Sequence, residues 1–236
     1  MSAIHAPMFA GVSDPDWDKV VFYAPLTDDL SEYRGHTLTA HGGASVTGGY
    51  LSTDGVDDYI TVAFDGDLAM STYPDTPQLA KSLTTEFTLN VHDADVTGTL
   101  VGFYQAVYPD VGKYGWRFLL NSGRIFWKCY NAAGTEIVSV NVATDLAIDT
   151  DHHIAIGLNT SDGTLRCLLN GQRRGSVVSY GANVIETSLA SSQFIIGLTQ
   201  DLPEYAKFKM KHLRITESAR YQGDTYSILP TPYPIS

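Results

Sequence analysis

The stretch that most restricts how this chain can fold is Asp151–Gly171, DHHIAIGLNTSDGTLRCLLNG. Ile154, Ile156 and Leu158 fall on one face of an extended strand, with His153, Ala155 and Gly157 on the other. In a second arm, Leu165, Cys167 and Leu169 alternate with Arg166 and Leu168. Asn159-Thr160-Ser161-Asp162-Gly163 joins the arms, and Asp-Gly tolerates the positive φ that a hairpin turn needs. Asn170-Gly171 then opens a further turn. Both arms are apolar at nearly every position, so the hairpin is expected in the middle of a β-protein with both faces covered.

The rest of the chain repeats this pattern in short pieces. Strands are expected at Val20–Pro25, His36–Ala40, Ala44–Thr47, Tyr50–Ser52, Tyr59–Phe64, Phe87–Val91, Thr99–Tyr104, Tyr114–Leu120, Arg124–Tyr130, Glu136–Val142, Ser176–Tyr180, Gln193–Gly197 and Phe208–Ile215. Nearly all are bounded by Gly, Asn, Asp or Pro, and no long helical period appears. Residues 65–82 hold Pro74 and Pro77 and read as a loop with one helical turn at Gln78–Ser82. A dozen or so strands without a linker predict one all-β sandwich of two antiparallel sheets. Residues 1–16 lack periodicity and read as an anchoring arm, with residues 17–236 as the single sandwich domain. Residues 229–234 (LPTPYP) read as an extended proline-rich tail lying on it.

Composition excludes several classes. With 44% hydrophobic and 17% charged residues the chain can build a sizeable core. A net charge of −11 argues against binding nucleic acid, which is held by clustered cations. No 18-residue apolar run exists, so no membrane span is expected. MSAIHAPMFAG has neither a basic start nor an apolar run, and synthesis in a reducing cytoplasm is expected. Cys129 and Cys167 are expected as buried free thiols.

The ordered series of motifs resembles laminin-G-like, concanavalin A-like jelly rolls, in the version common in bacteriophage structural proteins. The matching stretches are VVFYAPLTDD, YLSTDGVDDYITV, FTLNV, YGWRFLLNSGRIFWKCY, DHHIAI, GTLRCLLNGQ, FIIG and LRITESARYQGDTYSILPTPYP, spanning roughly residues 17–234. The final strand departs from the family pattern, with Lys211-His212 where an Asp-Glu pair often stands. The resemblance implies a jelly-roll β-sandwich.

Concanavalin A-like folds include glycoside hydrolases, which set two carboxylates across the scissile bond. Only six Glu occur (Glu32, Glu86, Glu136, Glu186, Glu204 and Glu217), and none begins a Glu-x-Asp-x-x-Glu strand. No G-x-S-x-G or H-E-x-x-H motif appears either, so no enzyme and no cofactor are expected. His152-His153 reads as scaffold, because adjacent strand residues face opposite ways and cannot converge on a metal. Asp54, Asp57 and Asp58 form the best calcium-type cluster, yet turn hydrogen bonds explain them equally well, and no metal is assigned.

The candidate ligand-binding residues are Tyr104, Tyr108, Tyr114, Trp127 and Tyr130, aromatics in adjacent strands that suit sugar stacking. Candidate partner contacts are Met1, Ile4, Pro7 and Phe9 in the arm, and Lys207, Lys209 and Lys211, which alternate on one strand. The expectation is a non-enzymatic phage virion protein decorating a capsid or tail as a homo-oligomer attached through its arm. Its partners would be other virion proteins. The alternative is a lectin-like adhesion module at a tail tip, binding a cell-surface glycan.

Overall fold

The computed structural model describes residues 14–63, 82–93, 97–105, 114–130, 135–144, 146–179, 192–199, 204–226 and 228. Met1, Ile4, Pro7, Phe9, Tyr108, the helical turn expected near residue 80 and the proline-rich tail lie outside these residues. After a 3-10 turn at Trp17–Lys19 come β1 (Val20–Ala24), β2 (Leu38–His41), β3 (Ser45–Thr47), β4 (Tyr50–Asp54), β5 (Tyr59–Val62), β6 (Leu83–Asn90), β7 (Thr97–Gln105), β8 (Tyr114–Asn121) and β9 (Arg124–Tyr130). Then follow β10 (Glu136–Ala143), β11 (Asp151–Asn159), β12 (Thr164–Leu169), β13 (Gln172–Ser179), β14 (Ser192–Ile196), β15 (Leu198–Thr199), β16 (Glu204–Tyr205) and β17 (Lys207–Thr216).

The strands make two antiparallel sheets and a small hairpin. One eight-stranded sheet runs β13-β12-β11-β6-β17-β4-β3, with β1 also paired to β17. The seven-stranded sheet runs β10-β9-β8-β7-β14-β5-β2, and β15 pairs with β16. This is the predicted two-sheet jelly-roll sandwich. Among the described residues no helix is long and apolar enough to cross a membrane.

The expected hairpin forms as β11–β12, with Ile154 opposite Leu169 and Ile156 opposite Cys167. Asn170 (φ 50) and Gly171 (φ 79) both take positive φ, as a two-residue turn into β13 requires. The hairpin's place in the sheet differs from expectation: β6 and β17 are central, and β12 lies one strand from the edge. Its apolar outer face is nonetheless covered. Ala155 and Leu168 pack against Tyr221 and Tyr226 of the segment after β17.

Strand alternation sends Phe87, Ile154, Ile156, Phe208 and Met210 from one sheet, and Trp116, Phe118, Trp127 and Phe194 from the other, into one core. Rings meet across the gap, with Phe87–Phe118 centroids at 5.0 Å and Phe22–Phe194 at 5.3 Å. Cys129 and Cys167 are free and buried in this core, one per sheet. Burial pushes each thiol up to about 12, so neither is a nucleophile at neutral pH.

A bulge in β17 sets which residues face outward. Phe208 and Met210 point inward, but Leu213 and Ile215 resume the core face, because one extra residue stands between Lys211 and Arg214 in the pairing with β6. His212 takes φ 58 there, and its N–H donates to Pro25 O at 2.7 Å. The shift turns Arg214 to the outer face, where it meets Glu86 and Asp14. A one-residue slip flips a strand's facing, and here the chain uses that once.

Glu86 and Arg214 at the centre of the resulting outer-face cluster are fully buried. Arg220 Nη1 donates to Glu86 Oε1 at 2.5 Å, and Tyr221 Oη donates to Glu86 Oε2 at 2.5 Å. His153 Nε2 lies 3.2 Å from the same Oε2. Arg214 pairs with Asp14, and Arg220 reaches Asp14 at 3.6 Å and Asp16 at 3.3 Å. Burial, the largest single influence on Glu86, would raise its pKa. The His153 hydrogen bond and the Arg220 and Arg214 charges outweigh it and hold the carboxyl at about 2. The network clamps the segments before β1 and after β17 onto the sheet. Asp14 and Asp16 therefore pack with the sandwich, upstream of the boundary expected at residue 17.

Candidate functional site

The outer face of the seven-stranded sheet carries a row of aromatic side chains. Alternation in β5 puts Ile60 and Val62 inside, leaving Tyr59 and Thr61 outside. Tyr59 lies opposite His41 of β2, and the two rings stack at 4.3 Å with an interplanar angle of 6°. His41 Nε2 contacts Thr61 Oγ1 at 3.0 Å, which fixes the imidazole plane. The β15–β16 hairpin adds Tyr205, its centroid 6.3 Å from Tyr59. Beneath Tyr59 and Tyr205 lie the buried Ile195, Leu198 and Tyr130. The three outer rings are half-buried, each held from below with part of its surface in solvent.

Carboxylates stand at the end of this row. The turn between β4 and β5 brings ligand atoms of Asp54, Asp57 and Asp58 within 4.8 Å of one another. Asp58 accepts hydrogen bonds from the N–H of Gly43 and, at 2.9 Å, of Asp54. Asp54 Oδ1 accepts from Val56 N–H at 2.8 Å. Gly42, at φ +64, lets the β2–β3 turn approach closely; a Cβ there would sit 2.5 Å from Asp57 O. A calcium ion takes six to eight oxygens. Three oxygens of this cluster already accept backbone N–H groups, so the residues fit a pinned turn better than a cation cage. Asp54 and Asp57 remain exposed in the turn that leads into Tyr59.

The structure redistributes the aromatic residues singled out in the sequence. Trp127 is a correction. It lies in the core at 1% exposure, between Ile125 and Cys129, because odd positions of β9 face inward, and it offers no ring to a ligand. Tyr130 is 8% exposed and belongs to the floor under the row. Its hydroxyl accepts from Arg117 Nε at 3.2 Å, and the Arg117 guanidinium lies over its ring. Burial pushes the Tyr130 phenol up, against the opposing Arg117 charge. Tyr104 and Tyr114 are register partners in β7 and β8, and their side chains are outside the described residues. Sequence reasoning missed His41, Tyr59 and Tyr205, which come from three distant segments.

The lysines of β17 lie on the other sheet. Lys207 is exposed. Lys211 Nζ is 2.7 Å from Asp151 Oδ2 and 4.3 Å from the Tyr50 ring centroid, and Lys209 also lies over Tyr50. Burial alone would raise Asp151, but hydrogen bonds from Lys211, Asn90 and Tyr50 outweigh it and hold the carboxyl below its usual range. The expected basic stripe is thus neutralised at Lys211. His152 and His153 face opposite ways as expected, His152 toward Ala147 O and His153 toward Glu86 and Tyr226.

Two antiparallel sheets around one core make a jelly-roll sandwich, with an aromatic row on one outer face. The laminin G model of the concanavalin A-like lectin/glucanases superfamily matches residues 52–224, and the chain belongs to that superfamily. No curated protein matches it by sequence. Among solved structures, it is similar to the binding domain of Paraclostridial Mosquitocidal Protein 1, with 15% identity and a TM-score of 0.62 over 87% of this chain and 50% of that one. It is similar to a structure of botulinum neurotoxin type C, which needs interaction with two ganglioside molecules to enter cells (11% identity, TM-score 0.63, 87% and 49%). It is also similar to the binding domain of botulinum neurotoxin DC in complex with rat synaptotagmin II (12% identity, TM-score 0.64, 87% and 50%). The chain spans about half the length of these structures, and at such identities the likeness is one of fold.

Proposed function

We propose that the chain is a lectin-like carbohydrate-binding module that holds a glycan over His41, Tyr59 and Tyr205. The observation that carries this reading is the continuous, half-exposed aromatic row on one sheet face of a lectin-superfamily sandwich. The apolar face of a pyranose ring covers a tyrosine ring, and Asp54 and Asp57 stand ready to accept hydrogen bonds from sugar hydroxyls. Superfamily membership supports it, and so does the occurrence of this fold in toxin binding domains whose chains engage gangliosides or a receptor protein. The expectation of a virion decoration protein rests on the sequence resemblance alone and gains no support from the site or the comparisons.

A glycan array of the whole chain tests the proposal. Binding should fall about five- to tenfold in Tyr59→Ala, since a stacked ring contributes roughly 1–1.5 kcal/mol. Its melting temperature should move little, because Tyr59 lies outside the main core. Incubation with bound polysaccharide should release no product. Unchanged binding in Tyr59→Ala would refute the platform, and product release would restore the hydrolase reading.

A further inference from the structure

We infer that the groove beside β1, at Trp17, Tyr33 and Arg34, is a second binding site, for a sugar that carries a carboxylate. A cavity of about 240 Å³ is lined by Val20, Val21, Tyr33 and Arg34. The Arg34 guanidinium lies over the Trp17 indole, 5.7 Å from its centroid. Trp17 meets the buried Tyr23 edge-on, and Tyr23 stacks on Tyr33, so Tyr23 holds the two outer rings from beneath.

The loop is built to present this cation. Glu32, the nearest acid in the chain, has both oxygens engaged: Oε1 accepts from Tyr23 N–H at 2.8 Å, and Oε2 from the N–H groups of Arg34 at 2.7 Å and His36 at 2.9 Å. The loop is further pinned by Tyr33 N–H donating to Tyr23 O and by His36 Nε2 against Val21 O at 2.7 Å. Among the described residues Arg34 has no carboxylate partner, although the chain carries a net charge of −11. Residues 1–13, which precede this corner, contain no Asp or Glu and cannot supply one.

A guanidinium with no carboxylate partner among the described residues, on a loop pinned in this way, selects a carboxylate, which it grips with two parallel N–H donors. The adjoining Tyr33 and Trp17 faces select a ring that is apolar on one side. The cavity is smaller than the roughly 300–1,000 Å³ of sites for drug-sized ligands, so it suits one sugar ring. The choice of a sugar over another carboxylate rests on the lectin-like reading of the chain.

Tryptophan fluorescence reads this site, because Trp116 and Trp127 are 0% and 1% exposed and Trp17 is the half-exposed indole. Titration with glucuronate or N-acetylneuraminate should change the emission saturably, with glucose and acetate each at least tenfold weaker. Arg34→Gln should weaken the response about tenfold or more, and Arg34→Lys less. Arg34 is exposed, so the variants should melt with the wild type. Equal responses to glucose or acetate, no saturation by either acid sugar, or wild-type binding by Arg34→Gln would each overturn the inference. Tyr59→Ala should leave the response intact. Loss of the fluorescence response with Tyr59-dependent array binding preserved would therefore refute this groove alone, and the converse would refute the platform alone.

Discussion

Glu86→Ala should destabilise the protein by about 3–5 kcal/mol, the range for removing one member of a buried ion pair. The variant leaves Arg214 against Asp14 and Arg220 against Asp14 and Asp16, with the Tyr221 hydroxyl and His153 Nε2 deprived of their acceptor. Domains are commonly stable by only about 5–15 kcal/mol, so the loss is a large share of the total. A urea titration followed by circular dichroism should show a lower midpoint with a nearly unchanged slope. Glu86→Gln should cost less, because the amide oxygen still accepts from Tyr221 or Arg220.

The same carboxylate shapes the response to acid. Its folded pKa of about 2 lies below the ordinary 4.5, so it contributes stability above about pH 4.5. That contribution is lost as the pH falls toward 2 and amounts to roughly 3 kcal/mol. His212 adds an earlier phase. Burial, helped by the Lys211 charge, lowers it from 6.5 to about 4. The unfolded chain binds that proton first, and stability should fall from about pH 6.5 downward. Acid titration of the wild type should show both phases. In Glu86→Ala the part between about pH 4.5 and 2 should flatten.

Trp127→Ala should also be severe, at about 3–5 kcal/mol, with a melting temperature lower by roughly 10 °C. The indole is 1% exposed at the centre of the core, and the neighbouring side chains cannot collapse into the space it leaves. Any loss of glycan binding in this variant would report loss of the fold. Comparison with Tyr59→Ala separates the two roles, since only the latter should lose binding while melting near the wild-type temperature.

Much of the sandwich was legible from local pattern. The alternation of Ile154, Ile156 and Leu158, the Asn170-Gly171 turn and the facing of His152 and His153 follow from period-two geometry and turn chemistry. The start of β6 was not legible. Leu83-Thr84-Thr85-Glu86 reads as a polar lead into Phe87, yet all four are buried: Leu83 and Thr85 fall on the core face with Phe87, and residues more than 130 positions away cover Thr84 and Glu86. The His212 bulge is equally silent in the sequence, since a non-glycine residue at positive φ has no local signature. The departure at Lys211-His212 from the family pattern did mark the place. Aromatics that cluster along the chain do not mark the platform. The β5–β2 pairing and the β15–β16 hairpin gather His41, Tyr59 and Tyr205 from segments that no spacing rule connects, whereas Trp127 alternates inward.

The central claim is that a glycan lies on the outer face of the seven-stranded sheet. The most direct test is a two-dimensional NMR titration of the isotope-labelled chain with the best neutral oligosaccharide from the array. Resonances of His41, Tyr59, Tyr205 and the Asp54–Asp58 turn should shift saturably, with those of the opposite sheet unmoved. Shifts confined to the opposite sheet, or no shift with any array-selected glycan, would contradict the account.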